Sequence, residues 1–395
     1  MALTPQHPSL SSPLLRPRGK VFCGTNSSFA QSLADEIGRY IAQSGLCRGL
    51  FGQTRPILPA LPSSRVHFPS ASYRVRQMAT FFFTLPDGNT LSGANYFPEK
   101  VGAAHISARP LVVAVHGGSY TSDYFDADEN HSIRHVSQSL GIPVIAIDRP
   151  SYRRSTPLPA PLPPSSFIQD QGRYLHQTIL PFLWKQHASS LGVSSILLYA
   201  HSIGGAIAVV TASLHASLPE QPALYPLCGI SISGVGSNVN RLPMDEEFNM
   251  DRQKMTGISL RFPSAQKDAM MLGPSHLYDP AILAQTERLQ HEILLEELHD
   301  INVLWPEYWR EYAARVEVAV LYTLGEYDSL WKNTEQDVRD FAAGFGKATS
   351  VEAKRLLLAP HCIEHSLQAT GLILRTFGFA IESAVQLKLR TLSDR

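Results

Sequence analysis

The sequence contains little of what marks several common kinds of protein. It has only four cysteines among 395 residues, Cys23, Cys47, Cys228 and Cys362, and none of them shows a C-x-x-C or zinc-ligand spacing. The charge is balanced, with 34 Lys and Arg against 34 Asp and Glu, so neither a nucleic-acid partner nor a cation-binding surface is indicated. No apolar run is long enough to cross a bilayer. These absences favour free thiols in a reducing compartment, no metal site and no integral membrane segment.

Residues 1–77 differ in composition from the rest of the chain. They are rich in Ser, Pro and Arg, and they contain acidic residues only at Asp35 and Glu36. This composition predicts a poorly structured leader. Two alternatives stay open: a targeting segment for mitochondria or another organelle, or a gene-model extension that precedes the natural start of the protein at Met78. We therefore expect an intracellular protein, located in the cytoplasm unless the leader directs it to an organelle, with its folded domain at 78–395.

From residue 78 onward, strand and helix patterns alternate. Two strand patterns flank the hairpin signal PDGN at 86–89, and continuous apolar runs of strand length follow. The strand patterns cover 80–85, 91–97, 111–116, 143–147, 195–199, 229–233, 316–323 and 355–358, and the helical patterns cover roughly 167–187, 203–216, 334–344 and 364–389. Because the runs are apolar on both faces, the fold class is predicted to be α/β, a mostly parallel central sheet flanked by helices.

One long gap interrupts this alternation. About eighty residues separate Gly234 from the strand pattern at 316–323, which is too long for a simple loop. Helical patterns near 279–300 and 305–315 predict a helical cap inserted at about 237–315. Five of the seven methionines lie between Met244 and Met271. Because methionine is flexible and apolar, they fit the lining of a pocket for an acyl group as well as the core of the cap.

The strongest chemical signal is AHSIGG at 200–205, which follows an apolar strand pattern and opens an apolar helix pattern. A nucleophilic serine on a sharp strand-to-helix turn needs small residues two positions before and after it, here Ala200 and Gly204. Ala200 departs from the usual glycine but is still small. The alternative is a serine that only caps the helix. The placement between strand and helix favours Ser202 as a nucleophile, and we interpret His201 as a neighbour that points away from its hydroxyl.

A second motif, HGGS at 116–119, ends the strand pattern at 111–116. Glycines at this place let the backbone turn and present N–H groups to a developing oxyanion. We predict that Gly118 or Ser119 supplies one donor and that Ile203, the residue after the serine, supplies the other. The alternative is a glycine-rich turn without a role in chemistry.

The acid and the base of such a site follow the serine in the chain. Asp328 comes just after the strand pattern at 316–323 and is the predicted acid, with Glu326 as the alternative. His361 lies in the loop after the strand pattern at 355–358 and is the predicted base, because catalytic residues are commonly carried on loops. The alternative base, His365, is expected at the surface or in the first turn of the last helix.

With these motifs, the chain resembles the α/β-hydrolase superfamily over residues 78–395. The segment DRPSYRRS at 148–155 is similar to a non-catalytic loop that follows a sheet strand in many members. Three segments look like those of fungal members from secondary-metabolite and toxin pathways. They are DIN at 300–302 with Trp305, GEYD at 325–328 with Trp331, and PHCI at 360–363. The resemblance implies the α/β-hydrolase fold. The closer match implies an ester, thioester or lactone of a polyketide-like product as substrate.

The nucleophile type narrows the predicted reaction. Epoxide hydrolases and dehalogenases of this fold carry Asp at the elbow, whereas this chain carries Ser202, so acyl chemistry is favoured. The predicted function is a serine hydrolase that cleaves an ester, thioester or lactone of a mainly apolar small molecule through an acyl-enzyme, without metal or organic cofactor. An acyltransferase, a C–C bond hydrolase and a non-catalytic ligand-binding protein of the same fold are the alternatives. The oligomeric state is left open.

Overall fold

The computed structural model describes residues 78–98, 106–217, 224–240 and 256–393. The leader predicted over 1–77 therefore lies outside the described residues. So do Cys23 and Cys47, and three methionines of the predicted cap, Met244, Met250 and Met255. Within the described ranges, no helix is both long enough and apolar enough to span a membrane.

A central sheet of eight strands organises the fold. The strands of the structure are β1 Ala79–Thr84, β2 Thr90–Tyr96, β3 Pro110–Val115, β4 Val144–Ile147, β5 Ser195–His201, β6 Leu227–Ser233, β7 Ser259–Leu260, β8 Ile293–Leu294, β9 Ala319–Tyr327 and β10 Val351–Pro360. The central sheet has the order β1-β2-β4-β3-β5-β6-β9-β10, and β7 and β8 form a separate antiparallel pair. Within the central sheet, β2 is antiparallel to both its neighbours, and every other neighbouring pair is parallel.

The burial of the strands explains their sequence patterns. Every residue of β3, β4, β5 and β6 is buried, as expected for strands of a parallel sheet covered on both faces. The edge strands β1 and β10 are mostly exposed. The hairpin between β1 and β2 closes through the N–H of Leu85, which donates to the carbonyl of Asn89, and Gly88 takes a positive φ of 85°. The predicted hairpin and the mostly parallel sheet are confirmed.

Helices cover the central sheet in two groups. The helices are α1 Arg134–Leu140, α2 Phe167–Tyr174, α3 Leu180–Leu191, α4 Ile203–Ala216, α5 Ser264–Leu272, α6 Thr286–Leu289, α7 Leu295–His299, α8 Trp305–Ala313, α9 Glu335–Ala342 and α10 Ala369–Ser393. Helix α4 contacts α2, α8, β5 and β6, whereas α10 contacts α1, β3, β5 and β6. The helix predicted over 167–187 is formed by α2 and α3 with a π turn at Leu175–Ile179. The predicted start of the last helix at 364 is wrong, because Ile363–His365 forms a separate 3-10 turn before α10.

Residues 256–313, between β6 and β9, are called the inserted segment below. They contain α5 to α8, and a π turn at Asp300–Leu304 joins α7 to α8. The helical pattern predicted near 279–300 is interrupted, because β8 lies between α6 and α7 and pairs with β7. The prediction did not include this strand pair.

Packing of α4 against the end of β3 gives a test of the fold. A Cβ at Gly204 would lie 2.4 Å from the carbonyl oxygen of Val115 and 2.6 Å from that of His116. Backbone atoms cannot move aside cheaply, so we expect Gly204→Ala to lower the free energy of unfolding by about 1–3 kcal/mol. Urea unfolding measures the change.

The matched control is Gly378→Ala in α10, where a Cβ would meet no atom within 4 Å. Because alanine is the better helix former, this change should be neutral or should raise the free energy of unfolding by up to about 1 kcal/mol. Equal stability of the two variants would contradict the packing described for α4.

Candidate active site

Ser202 lies on a sharp turn between β5 and α4. Its φ of 54° and ψ of −123° are unusual for a residue with a side chain. The backbone around it is fixed, because the N–H of Ser202 donates to the carbonyl of Ser233 at 2.8 Å and its carbonyl accepts from Gly205 at 2.7 Å. The sharp strand-to-helix turn predicted from the sequence is therefore present at Ser202, with its backbone fixed on both sides.

The two glycine-containing motifs meet at this turn. A Cβ at Gly117 would lie 2.9 Å from the Cβ of Ser202, and a Cβ at Gly204 would overlap the end of β3. Any larger side chain at either position would push the segment 116–119 away from Ser202. The glycines are therefore required by close approach of the two backbones.

The structure brings the predicted serine, histidine and acid into one hydrogen-bonded row. His361 Nε2 lies 3.1 Å from Ser202 Oγ, and His361 Nδ1 lies 2.8 Å from Asp328 Oδ2. The other oxygen of Asp328 accepts the backbone N–H groups of Leu330 at 2.9 Å and Trp331 at 3.1 Å. Ser202 is 9% exposed, His361 1% and Asp328 3%. The carboxylate is thus fixed in place, and the row is shielded from bulk water.

The two alternative residues lie elsewhere. Glu326 forms an ion pair with Arg355 at 3.2 Å and accepts the N–H of Leu358 at 2.8 Å. His365 donates from Nε2 to the carbonyl of Tyr124 at 2.9 Å. The placement of His365 at the surface or in the first turn of the last helix is wrong. It is buried in the 3-10 turn that precedes α10, and this burial lowers its pKa to about 4.

A buried polar cluster lies beneath the Ser202 turn. His201 Nδ1 lies 3.1 Å from the hydroxyl oxygen of Ser233, and burial, followed by the nearby His361, lowers the pKa of His201 well below its usual range. Ser233 in turn donates to Glu364. The Glu364 carboxylate accepts from three hydroxyls, those of Tyr124 at 2.7 Å, Tyr199 at 2.9 Å and Ser233 at 2.7 Å. These bonds fix the neutral His201 in one tautomer behind the serine.

The predicted oxyanion donors differ in their surroundings. The N–H of Ser119 already donates to the hydroxyl of Tyr152 at 3.2 Å. Ile203 is the first residue of α4, so its N–H has no partner within the helix. Gly118, Ser119 and Ile203 all line the cavity next to Ser202. Because the Ser119 N–H is already bonded to Tyr152, Gly118 is favoured over Ser119 as the partner of Ile203 in the predicted oxyanion hole.

Ser202 and His361 lie at the wall of a mainly apolar cavity. The central fold supplies Gly117, Gly118, Ser119, Tyr120, His201, Ser202, Ile203, Leu330, Trp331 and His361, and the inserted segment supplies Phe262, Met270, Met271, Ile293, Leu298, Ile301 and Asn302. Met270 and Met271 line this cavity and also belong to the hydrophobic core. The same two side chains thus take both positions predicted for the methionines, in a pocket wall and in the core. The cavity favours an apolar ligand group next to the serine.

Lys267 of the inserted segment was not singled out by the sequence. Its Nζ donates to the carbonyl of Ser119 at 2.7 Å and lies 3.6 Å from the centre of the Tyr120 ring. Burial lowers its pKa to about 7. No motif surrounds it, so only the three-dimensional packing of the inserted segment reveals the contact.

Metal ligands and reactive cysteines are the other kinds of site to consider among the residues that the structure describes. There, no group of three or more His, Cys, Asp or Glu side chains could hold a metal ion. Cys228 and Cys362 are buried free thiols, and burial raises the pKa of each to about 12. Both thiols are therefore protonated at neutral pH, and a protonated thiol is a poor nucleophile.

Comparisons with known proteins give a family match and likenesses in fold. The model of the alpha/beta hydrolase family matches residues 112–365. The structure of DcsB in complex with its substrate analogue is 14% identical, with a TM-score of 0.53, over 78% of this chain and 100% of that chain. A malate-bound thermophilic esterase from Thermogutta terrifontis is 13% identical, with a TM-score of 0.51, over 78% and 100% of the two chains. Both likenesses show the fold alone. No curated protein matches the sequence.

The burial of His365 predicts how stability depends on pH. Its pKa is about 4 in the folded protein and about 6.5 in an unfolded chain, so between these values the unfolded state binds a proton that the folded state does not. The free energy of unfolding should therefore fall as the pH is lowered from 6.5 to 4, by about 1.4 kcal/mol per pH unit for this residue. Urea unfolding at several pH values measures it.

His365→Gln keeps a donor for the carbonyl of Tyr124 and should make this pH dependence shallower. The control is His276→Gln, which makes the same replacement at an exposed position. The account of His365 would be wrong if both variants showed the slope of the unmodified protein.

Proposed function

This chain belongs to the alpha/beta hydrolase family, and we propose that it is a serine hydrolase that cleaves an ester, thioester or lactone of a mainly apolar small molecule. The observation that carries the proposal is the hydrogen-bonded row of Ser202, His361 and Asp328, in which Ser202 and His361 line an apolar cavity. A serine on a strained turn with an imidazole at hydrogen-bond distance is suited to acyl transfer.

In the proposed reaction, His361 accepts the Ser202 proton at Nε2 while the serine oxygen attacks the acyl carbonyl carbon. Asp328 accepts the Nδ1–H of His361, which keeps the imidazole in the required tautomer and stabilises the imidazolium. The backbone N–H groups of Gly118 and Ile203 stabilise the oxyanion, and the imidazolium protonates the leaving group. A water molecule, deprotonated by His361, then releases the acid and restores the Ser202 hydroxyl.

The proposed substrate class rests on the inserted segment. Of the segment predicted as a cap, 237–315, the structure describes residues 237–240 and 256–315. Its side chains supply apolar cavity walls such as Phe262, Met271 and Ile301. We assign it the role of a cap that selects the acyl group. The likeness of the segments around Asp300, Asp328 and His361 to fungal secondary-metabolite enzymes supports a polyketide-like acyl group as the natural substrate.

Labelling with a fluorescent fluorophosphonate tests the nucleophile. We expect the unmodified protein to be labelled and Ser202→Ala not to be labelled, because the reagent bonds to the activated serine oxygen. His361→Ala and Asp328→Asn should react more slowly, and their kcat/KM for p-nitrophenyl esters should fall by about 10³-fold or more. In-gel fluorescence and ester hydrolysis provide the measurements.

The matched controls for this experiment are Glu326→Gln and His365→Gln, the alternative acid and the alternative base. Both should keep labelling and hydrolysis, with folding checked by thermal unfolding. Loss of labelling in Glu326→Gln together with full labelling of Asp328→Asn would overturn the assignment of the acid. No labelling of the unmodified protein would move the non-catalytic, ligand-binding alternative to first place.

An acyltransferase or a C–C bond hydrolase using the same three residues would also be labelled. A panel of esters, thioesters and β-diketones, each with and without an added alcohol or amine acceptor, separates these alternatives. The proposed hydrolase should release the free acid from the esters or thioesters whether the acceptor is present or not.

The cavity predicts a preference for longer acyl chains. We expect kcat/KM to rise from p-nitrophenyl acetate to the octanoate, because each methylene buried in an apolar pocket contributes binding energy. Ile301→Phe narrows the cavity and should lower kcat/KM for the octanoate by about 10-fold while leaving the acetate nearly unchanged. Leu283→Phe, at a 40% exposed position of the same segment, is the control. An equal effect of Ile301→Phe on both esters would contradict the role given to this wall.

A further inference from the structure

A buried ion pair joins the inserted segment to the central fold. Arg149 follows β4, Glu297 lies on α7, and their side chains are 1% and 0% exposed. Burying two charges costs several kcal/mol for each ion unless every oxygen and N–H group finds a partner. Both oxygens of Glu297 are used, since Oε1 accepts from Arg149 and Oε2 accepts from the Tyr152 hydroxyl at 2.8 Å. Both oxygens of the buried carboxylate therefore have a partner.

Arg149 also holds the backbone of the turn at 116–119. Its Nε donates to the carbonyl of His116 at 2.9 Å, and its Nη2 donates to the carbonyl of Gly117 at 3.0 Å. The Gly117 carbonyl and the Gly118 N–H belong to one planar trans peptide and point in opposite directions. Holding the carbonyl on the side of Arg149 therefore aims the Gly118 N–H away from it.

Tyr152 fixes the next peptide of the same turn. Its hydroxyl oxygen accepts the N–H of Ser119 at 3.2 Å while its proton goes to Glu297. The Arg149 guanidinium lies 4.7 Å from the centre of the Tyr152 ring, and the His116 ring stands edge-on to it at 4.7 Å. The peptides on both sides of Gly118 are thus held by residues that Glu297 orients.

We propose that Glu297 of the inserted segment is a positioning residue, which acts through Arg149 and Tyr152 to aim the Gly118 N–H at the oxyanion. The proposal rests on the proposed function, because it assigns Gly118 as one of the oxyanion donors. The inserted segment then does more than form a cavity wall, since it also sets the geometry of the turn that stabilises the transition state. Donor direction matters most when charge develops on the oxygen, so the effect falls mainly on kcat.

The test uses the full-length variants Glu297→Gln and Tyr152→Phe with p-nitrophenyl hexanoate. Glu297→Gln keeps the size of the side chain and removes its charge, and Tyr152→Phe removes only the hydroxyl. We expect kcat to fall by about 10- to 100-fold in each variant, less than the loss of a whole donor, with KM changed by less than about 3-fold. The affinity for an alkyl trifluoromethyl ketone, whose adduct with the serine carries an oxyanion, should fall in parallel with kcat.

The control is Glu311→Gln, which removes a surface ion pair with Arg315 and should leave kcat, KM and inhibitor affinity unchanged. An unchanged kcat in Tyr152→Phe, or a rise in KM with an unchanged kcat in folded Glu297→Gln, would overturn the positioning role. Unmodified protein that hydrolyses no ester and takes up no fluorophosphonate would instead contradict the proposed function itself.

Discussion

The strained backbone of Ser202 is the constraint on which the site depends. Its φ of 54° places the hydroxyl at the end of β5, and this turn closes only because glycines let α4 and the segment 116–119 approach within contact of one another. Strain of this kind persists where the surroundings hold the backbone firmly. Here, fully buried strands on either side of β5 supply that rigidity. The position of His361 relative to Ser202 follows from the same parallel sheet, because the loops after its strands meet at one edge.

The inserted segment contributes to both the cavity and the turn at 116–119. It brings apolar side chains to the cavity. It also brings two buried ionisable groups to the turn at 116–119, Lys267 at the Ser119 carbonyl and Glu297 through Arg149. Charged groups are costly to bury, and each of these is bonded to the backbone or to a partner. An apolar cavity whose few polar contacts converge on one turn is suited to an uncharged acyl substrate and to charge that appears only during reaction.

The sequence predicts the sheet well because the physical signal is strong there. Strands buried on both faces are continuous apolar runs, and the motifs around Ser202, Asp328 and His361 follow strand ends in a fixed chain order. Prediction from the sequence fails where a contact joins residues that are far apart in the chain and have no local pattern. Arg149 and Glu297 are 148 positions apart, β7 and β8 are two residues each, and the burial of His365 depends on its contact with Tyr124. The contact of Lys267 with the turn has no signature in the chain for the same reason.

An acyl-enzyme on Ser202 is the central claim, and its direct detection is the most decisive measurement. The protein is mixed with p-nitrophenyl hexanoate, quenched in acid during steady-state turnover, digested and analysed by tandem mass spectrometry. The account predicts one hexanoyl group per chain, attached to the peptide that contains Ser202 and absent when Ser202→Ala is treated in the same way. Hydrolysis without any acyl group on this peptide, or an acyl group attached to another residue, would contradict it.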